Sequence, residues 1–160
     1  MKRLLTAIVN LLAGWAGLFV YKYAKSDSTA TVVLLFDNCT KTIVIRRRKW
    51  PFKGYWALPG GFLNIGTETL RQAAKRELRE ETTIDLPETE FVPVDERSEP
   101  NRDPRVHVID HGFMVIISDA RKDAVLAQLK ANDDAEAAKV ESVAELLQSD
   151  MAFDHKQLLS

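Results

Sequence analysis

Residues 59–84 read PGGFLNIGTETLRQAAKRELREETTI, and the fold turns on how this stretch is read. A double glycine, Gly60-Gly61, opens it. A short loop then runs to Gly66-Thr67-Glu68, and a segment dense in charge follows. Thr69 with Gln72 three residues on has the spacing of a capping box, so a helix is predicted to begin at Thr69. Glu77, Glu80 and Glu81 are spaced i, i+3, i+4, which places three carboxylates on one face of that helix. Like charges at this spacing destabilise a bare helix. A hard divalent cation offsets the cost, because Mg²⁺ takes oxygen ligands from carboxylates and substrate phosphates. The competing reading is a solvated surface helix, in which the acids serve only solubility.

The residues before this stretch weigh against the surface helix. Trp56-Ala57-Leu58-Pro59-Gly60-Gly61 leads into the loop, and Glu68 is followed after seven residues by Arg76-Glu77 and then Glu80-Glu81. This arrangement resembles the signature box of the Nudix hydrolases. Two positions depart from the family pattern: one extra residue, Thr67, lies between Gly61 and Glu68, and Thr83 stands where the family usually has glycine.

The resemblance spans roughly residues 29–157. It implies a Nudix-type α/β/α sandwich with a mixed β-sheet, and the sequence adds an apolar helix at the amino terminus. It further implies a Mg²⁺ site, with Mn²⁺ as an alternative ion, held by Glu77, Glu80, Glu81 and the backbone carbonyl of Gly61. Glu77, Glu81 and Glu136 are the candidates for the general base, with Asp133 and Asp134 as rivals to Glu136. Periodicity puts Arg76 on a different face from the three acids. The resemblance pairs it with Glu68, a contact that stiffens the loop and supports the catalytic group.

Size and composition permit one domain with a proper core. Apolar residues make up 46% and charged residues 28%, with a formal net charge of −1. That balance gives no argument for a nucleic-acid partner. The single cysteine, Cys39, excludes an intramolecular disulfide, and no neighbouring His activates it as a nucleophile.

Residues 1–26 differ from the rest and form a separate segment ahead of a domain at 27–160. Leu4 to Tyr21 carries no charge and is flanked by Lys2-Arg3 and Lys22. Its 18 residues sit at the lower limit for a membrane span of ~17–25 residues. Three readings compete: a spanning or interfacial anchor, a cleaved signal peptide, and an apolar helix packed on the domain or on a second subunit. The polar joint Ser26-Asp27-Ser28-Thr29 marks the boundary.

Beyond it, residues 31–46 read as a β-hairpin turning at Asp37-Asn38. The basic run that follows suggests phosphate recognition by Arg46 and Arg48. Residues 91–94 read as an edge strand because of Pro93, residues 106–117 as a strand carrying His107 and His111 on one side, and residues 121–130 as a helix. Residues 140–147 read as a strand running into a helix. The run Asn101-Arg102-Asp103-Pro104-Arg105 and the run Ala152-Phe153-Asp154-His155 resemble features of Nudix proteins acting on ADP-ribose. Arg102, Arg105 and His155 are therefore expected to contact substrate, with Phe153 in the core.

The expected activity is hydrolysis of the diphosphate linkage in a nucleoside diphosphate derivative, ADP-ribose first among them. A (deoxy)nucleoside triphosphate substrate and a non-catalytic nucleotide-sensing module are the alternatives. Partners are a nucleotide-type small molecule, a membrane through residues 4–21 and a second copy in a homodimer. The expected location is cytoplasmic or membrane-associated rather than secreted.

Overall fold

The computed structural model describes residues 27–160. The expected apolar helix and anchor at residues 1–26 lie outside them. Among the described residues no helix is long and apolar enough to cross a membrane.

Nine residues, Ser28–Phe36, form strand β1, the axis of the fold. It is rich in Val, Leu, Thr and Phe, and every residue from Thr29 onward is buried, as expected of a central strand covered on both faces. Alternation divides its side chains. Ala30, Val32, Leu34 and Phe36 join one core with Ala73, Ala74 and Leu78, while Val33 and Leu35 join a second with Leu146 and Met151. The sheet is thus sandwiched between α1 (Leu70–Thr82) with α2 (Asp119–Leu126) on one side and α3 (Val143–Gln148) on the other. This is the expected mixed α/β/α architecture.

The described residues build a seven-stranded mixed sheet. Strand β1 runs parallel to β6 (Ile109–Ile116), and β6 is antiparallel to the edge strand β5 (Val92–Arg97). On its other side β1 has two neighbours. Leu35 and Phe36 pair with the start of β2 (Lys41–Arg47), whereas Thr29 to Thr31 pair with β4 (Gly60–Phe62). Strand β2 leaves β1 to pair with β7 (Ala135–Ser142) and the two-residue β3 (Trp56–Ala57). The hairpin expected over residues 31–46 exists, but only its closed end is paired. Thr29 and Thr31 are left beside β4 rather than β2.

Two boundaries differ from the sequence reading. Strand β6 starts at Ile109, so His107 lies outside it and does not share a strand face with His111. Helix α2 starts at Asp119 and stops at Leu126, short of Lys130. The backbone beyond it does other work: Lys130 N–H donates to the Thr82 carbonyl at 3.0 Å and Asn132 N–H to the Glu81 carbonyl at 3.1 Å. These bonds satisfy carbonyls that the end of α1 leaves without helical partners.

Helix α1 itself begins as expected. The Thr69 hydroxyl accepts from Gln72 N–H and the Gln72 side chain accepts from Thr69 N–H. At its other end Thr83 takes the left-handed conformation, φ 60°, that glycine adopts without penalty. Its hydroxyl donates to the Gln128 carbonyl, a bond glycine lacks, which offsets the backbone strain. Thr83→Val keeps the strain and loses the bond, so it should cost about 1 kcal/mol in urea unfolding. Thr83→Gly relieves the strain as it loses the bond, and should be the more stable of the two variants.

Candidate active site

The carboxylates of α1 open onto a cavity of about 690 Å³ walled by β4, the start of β1, the loop after α2 and the carboxy-terminal segment. Gly60 and Gly61 bring β4 against its neighbours. A Cβ on Gly60 would lie 2.6 Å from the Ala30 carbonyl, and one on Gly61 would lie 2.5 Å from the Glu77 carboxylate. At Gly60 the neighbour is backbone and only glycine permits the approach; at Gly61 it is the end of the Glu77 side chain, which a larger residue would displace. Gly60 N–H donates to Glu81 Oε2 at 3.0 Å, so the double glycine positions the acids as well as approaching them.

Arg76 sits among four acceptors. Its Nε and Nη2 hold both oxygens of Glu68 at 2.9 and 2.7 Å, Nη2 donates to the Phe62 carbonyl at 2.9 Å, and Nη1 reaches Glu77 at 2.5 Å and Glu80 at 3.0 Å. The pairing with Glu68 is therefore present despite the extra residue at Thr67. The expectation that Arg76 points away from the acids is corrected. Glu80 lies at i+4 on its own ridge, and a long guanidinium spans from there to the adjacent Glu77.

Three carboxylates thus share one arginine while Glu81 stands apart from it, and their electrostatics differ accordingly. Arg76 holds Glu68 below the usual carboxylate range. Burial pushes Glu77 up despite Arg76, and it pushes Glu81, 5% exposed, up to about 8 against the single N–H of Gly60. Among the described residues no three acid, histidine or cysteine side chains are already gathered at metal-binding geometry. Arg76 occupies Glu77 and Glu80, and Glu81 faces Gly60. The donor set nevertheless fits a hard cation. Glu81 is a buried and Glu77 a partly buried oxygen donor, and a divalent ion there would oppose their upward shifts.

The remaining sequence-derived residues divide. Arg105 lines the cavity, gripped by Asp103 at 2.6 Å and lying over the rings of Phe62 and Phe153 at 4.6 and 5.4 Å. Arg102 and His155 line it too, both nearly buried. Arg46 and Arg48 do not: Arg46 donates to the Gly54 carbonyl and Arg48 to the Ala135 carbonyl. Arg47, between them, takes the cavity position, 5.0 Å from the Phe153 ring centre. The β2–β7 register shifts between Arg46 and Arg47 and β2 ends there, so the run leaves simple alternation at this point.

Glu136 likewise stands outside the cavity, on β7 beside Arg46 at 3.9 Å. Asp133 and Asp134 are inside it, carried there by the loop that caps α1, and Lys49 pairs with Asp134 at 2.6 Å. Phe153 is partly buried: it packs against the core cluster of Ile45, Ala57, Ala135 and Ala152 as expected and also lines the cavity. Asp110 was not anticipated; its signal was an acid within an otherwise apolar strand. His107 Nε2 lies 2.7 Å from the Ser98 carbonyl, and His111 faces Glu96, so neither reaches the carboxylates.

Comparison with known proteins follows this geometry. The NUDIX domain family matches residues 26–160. The chain therefore belongs to the Nudix family. It is 37% identical over 125 residues to an ADP-ribose pyrophosphatase of Methanocaldococcus jannaschii, covering 78% of this chain and 67% of that one. It is 30% identical over 149 residues to an ADPR-responsive transcriptional repressor, NtrR, of Acinetobacter baylyi, covering 88% of this chain but 56% of the repressor. The chain thus spans between about half and two thirds of these relatives.

Among solved structures, the NUDIX domain of Shewanella oneidensis NrtR in complex with ADP ribose superposes with a TM-score of 0.67 at 27% identity, covering 82% of each chain. A bifunctional NMN adenylyltransferase/ADP ribose pyrophosphatase of Francisella tularensis, with AMP and a Mn ion, gives 0.68 at 27% identity, covering 98% of this chain and 47% of that one.

His155 supplies a pH test. Its Nδ1 accepts the Leu58 N–H at 3.0 Å, and burial lowers it from 6.5 to about 4. Unfolding exposes a histidine that binds a proton more readily, so its contribution is complete above pH 6.5 and lost as pH falls toward 4. The size is about 3 kcal/mol. Urea midpoints between pH 7 and pH 4.5 should fall more steeply for the native chain than for His155→Gln, which cannot titrate.

Proposed function

We propose that this protein hydrolyses the diphosphate linkage of ADP-ribose or a close nucleoside diphosphate derivative with the help of Mg²⁺. The observation that carries this is a single cavity joining buried, charge-starved carboxylates at Glu77 and Glu81 to the aromatic and cationic wall of Phe62, Arg105, Phe153 and Arg47. The ADP-ribose pyrophosphatase activities of the relatives in Methanocaldococcus and Francisella support the same substrate.

Glu77, Glu80 and Glu81 would hold the cation, with the carbonyl of Gly61, a residue packed against the Glu77 carboxylate, as a further ligand. A divalent ion so bound neutralises diphosphate charge and lowers the pKa of a water. The chain's own residues do the rest. Arg47 and Arg105 face the same cavity and supply guanidinium donors to phosphate oxygens across from the acids. A carboxylate of the cluster, Glu77 or Glu81, takes the proton of the attacking water. Arg76 stays out of the chemistry. Held by Glu68 and the Phe62 carbonyl, it fixes strand β4, which carries Gly61, against the loop that follows.

The test is turnover by the full chain with Mg²⁺ of ADP-ribose, NADH, dinucleoside polyphosphates and nucleoside triphosphates. ADP-ribose should give AMP and ribose 5-phosphate at the highest kcat/KM. Glu81→Gln should lower kcat at least about 100-fold with the melting temperature little changed, and chelation by EDTA should abolish turnover reversibly. Preferred turnover of triphosphates would move the substrate class. Tight ADP-ribose binding without turnover of anything would establish instead the sensing role that the likeness to the Acinetobacter repressor suggests.

A further inference from the structure

Beneath the cavity lies a square of buried charge separate from the acids of α1. Arg97 of β5 donates to Asp110 of β6, to the Asp154 carbonyl at 2.7 Å and toward the Asp154 carboxylate at 3.2 Å. Arg102 grips Asp154 with two nitrogens, Nε at 2.9 Å, and lies 3.5 Å from Asp110. The second Asp110 oxygen accepts the hydroxyls of Thr29 and Thr31 at 2.7 Å each. The side chains of Arg97, Arg102 and Asp110 are no more than 5% exposed. Four charges cancel in pairs, and although Arg102 and Asp110 also border the cavity, their side-chain bonds are spent on this group and on the two threonines.

Asp154 lies between the two residues that make the far wall, Phe153 and His155. Phe153 has φ 53°, a conformation costly for a residue with a Cβ. Its ring nonetheless keeps defined neighbours: it stacks on His155 at 5.2 Å, meets Phe52 at 4.8 Å and carries Arg47 and Arg105. A strained backbone persists only where its surroundings over-determine it. The only charged clamp next to Phe153 in sequence is Asp154, locked by both arginines.

We propose that the Arg97–Asp110–Arg102–Asp154 square is a positioning device that sets the Phe153 wall and so the enzyme's grip on substrate. In this assignment Arg102 acts as a strut and makes no direct bond to phosphate. It rests on the reading of this cavity as the substrate site. Arg102 is committed by two nitrogens to Asp154 and its side chain is only 4% exposed, which leaves it little to offer a phosphate. Arg105 is also paired, with Asp103, but is 28% exposed, and Arg47 spends only Nε, on the Pro51 carbonyl, so these two keep donors open to the cavity.

The two roles predict opposite behaviour for Asp154→Asn. If Arg102 binds phosphate, removing its counter-charge frees it, and KM for ADP-ribose holds steady or falls. If it is a strut, Asp154→Asn and Arg102→Met should each raise KM about tenfold with kcat within about twofold. The double variant, which leaves no lone buried charge, should then be no worse than either single one. Phe153→Leu should raise KM similarly and add nothing to Arg102→Met.

A second measurement is independent of turnover. Hydrogen exchange of the Leu58 amide, which is bonded to His155, should accelerate in Arg102→Met and in Asp154→Asn relative to the native chain. Unchanged exchange, additive KM effects or a lower KM in Asp154→Asn would each overturn the proposal. If the native chain fails to hydrolyse ADP-ribose, the substrate reading has failed, and exchange at Leu58 alone decides the strut.

Discussion

One guanidinium holds the active end of this molecule together. Arg76 satisfies Glu68, Glu77, Glu80 and the Phe62 carbonyl at once, and through them ties the loop, strand β4 and helix α1 into one body. Charge-assisted bonds to carboxylates are the strongest that proteins make, and here they are spent on acids rather than on substrate. The arithmetic is deliberately short. Arg76 meets three carboxylates, Glu81 has only the Gly60 N–H bonded to it with the Arg47 charge further off, and burial pushes Glu77 and Glu81 up because these partners do not offset it. A site left in deficit in this way has affinity for added positive charge.

The opposite side of the cavity is built on the reverse principle. There the charges are matched, two arginines to two aspartates, and burial alone would raise Asp154 but the Arg102 bond and both arginine charges hold it low. Buried ion pairs contribute little net stability because desolvation consumes the Coulomb gain, so their value lies in geometry. A matched square fixes a shape without drawing in an ion. A cavity with one unmatched and one matched side has a built-in direction for an anionic, elongated ligand.

How much of this the sequence disclosed follows from the range of each interaction. The capping box at Thr69, the helix and the face of Glu77, Glu80 and Glu81 are local and follow from spacing. The pairing of Arg76 with Glu68 spans eight residues and came with the family pattern, although one extra residue intervenes. Contacts across sheet register were beyond reach. Arg47 rather than Arg46 or Arg48 faces the cavity because of how β2 pairs with β7, and nothing in a run of three arginines states that. Glu136 failed for the same reason. It sits in a strand whose start lies five residues earlier than the apolar pattern indicated, while Asp133 and Asp134 occupy the loop.

That loop shows why the error was physical rather than accidental. The end of a helix leaves carbonyls needing donors, and α1 obtains them from Lys130 and Asn132, some fifty residues away in sequence. Capping therefore determines which acids arrive at the site: the chain that satisfies Glu81 and Thr82 necessarily delivers Asp133 and Asp134 next. With Asp133 in a left-handed turn, the backbone reverses into β7 and carries Glu136 outward. An acid's place at this site is thus set by hydrogen-bond accounting at a helix terminus, and the chemistry inherits whichever side chains that accounting brings.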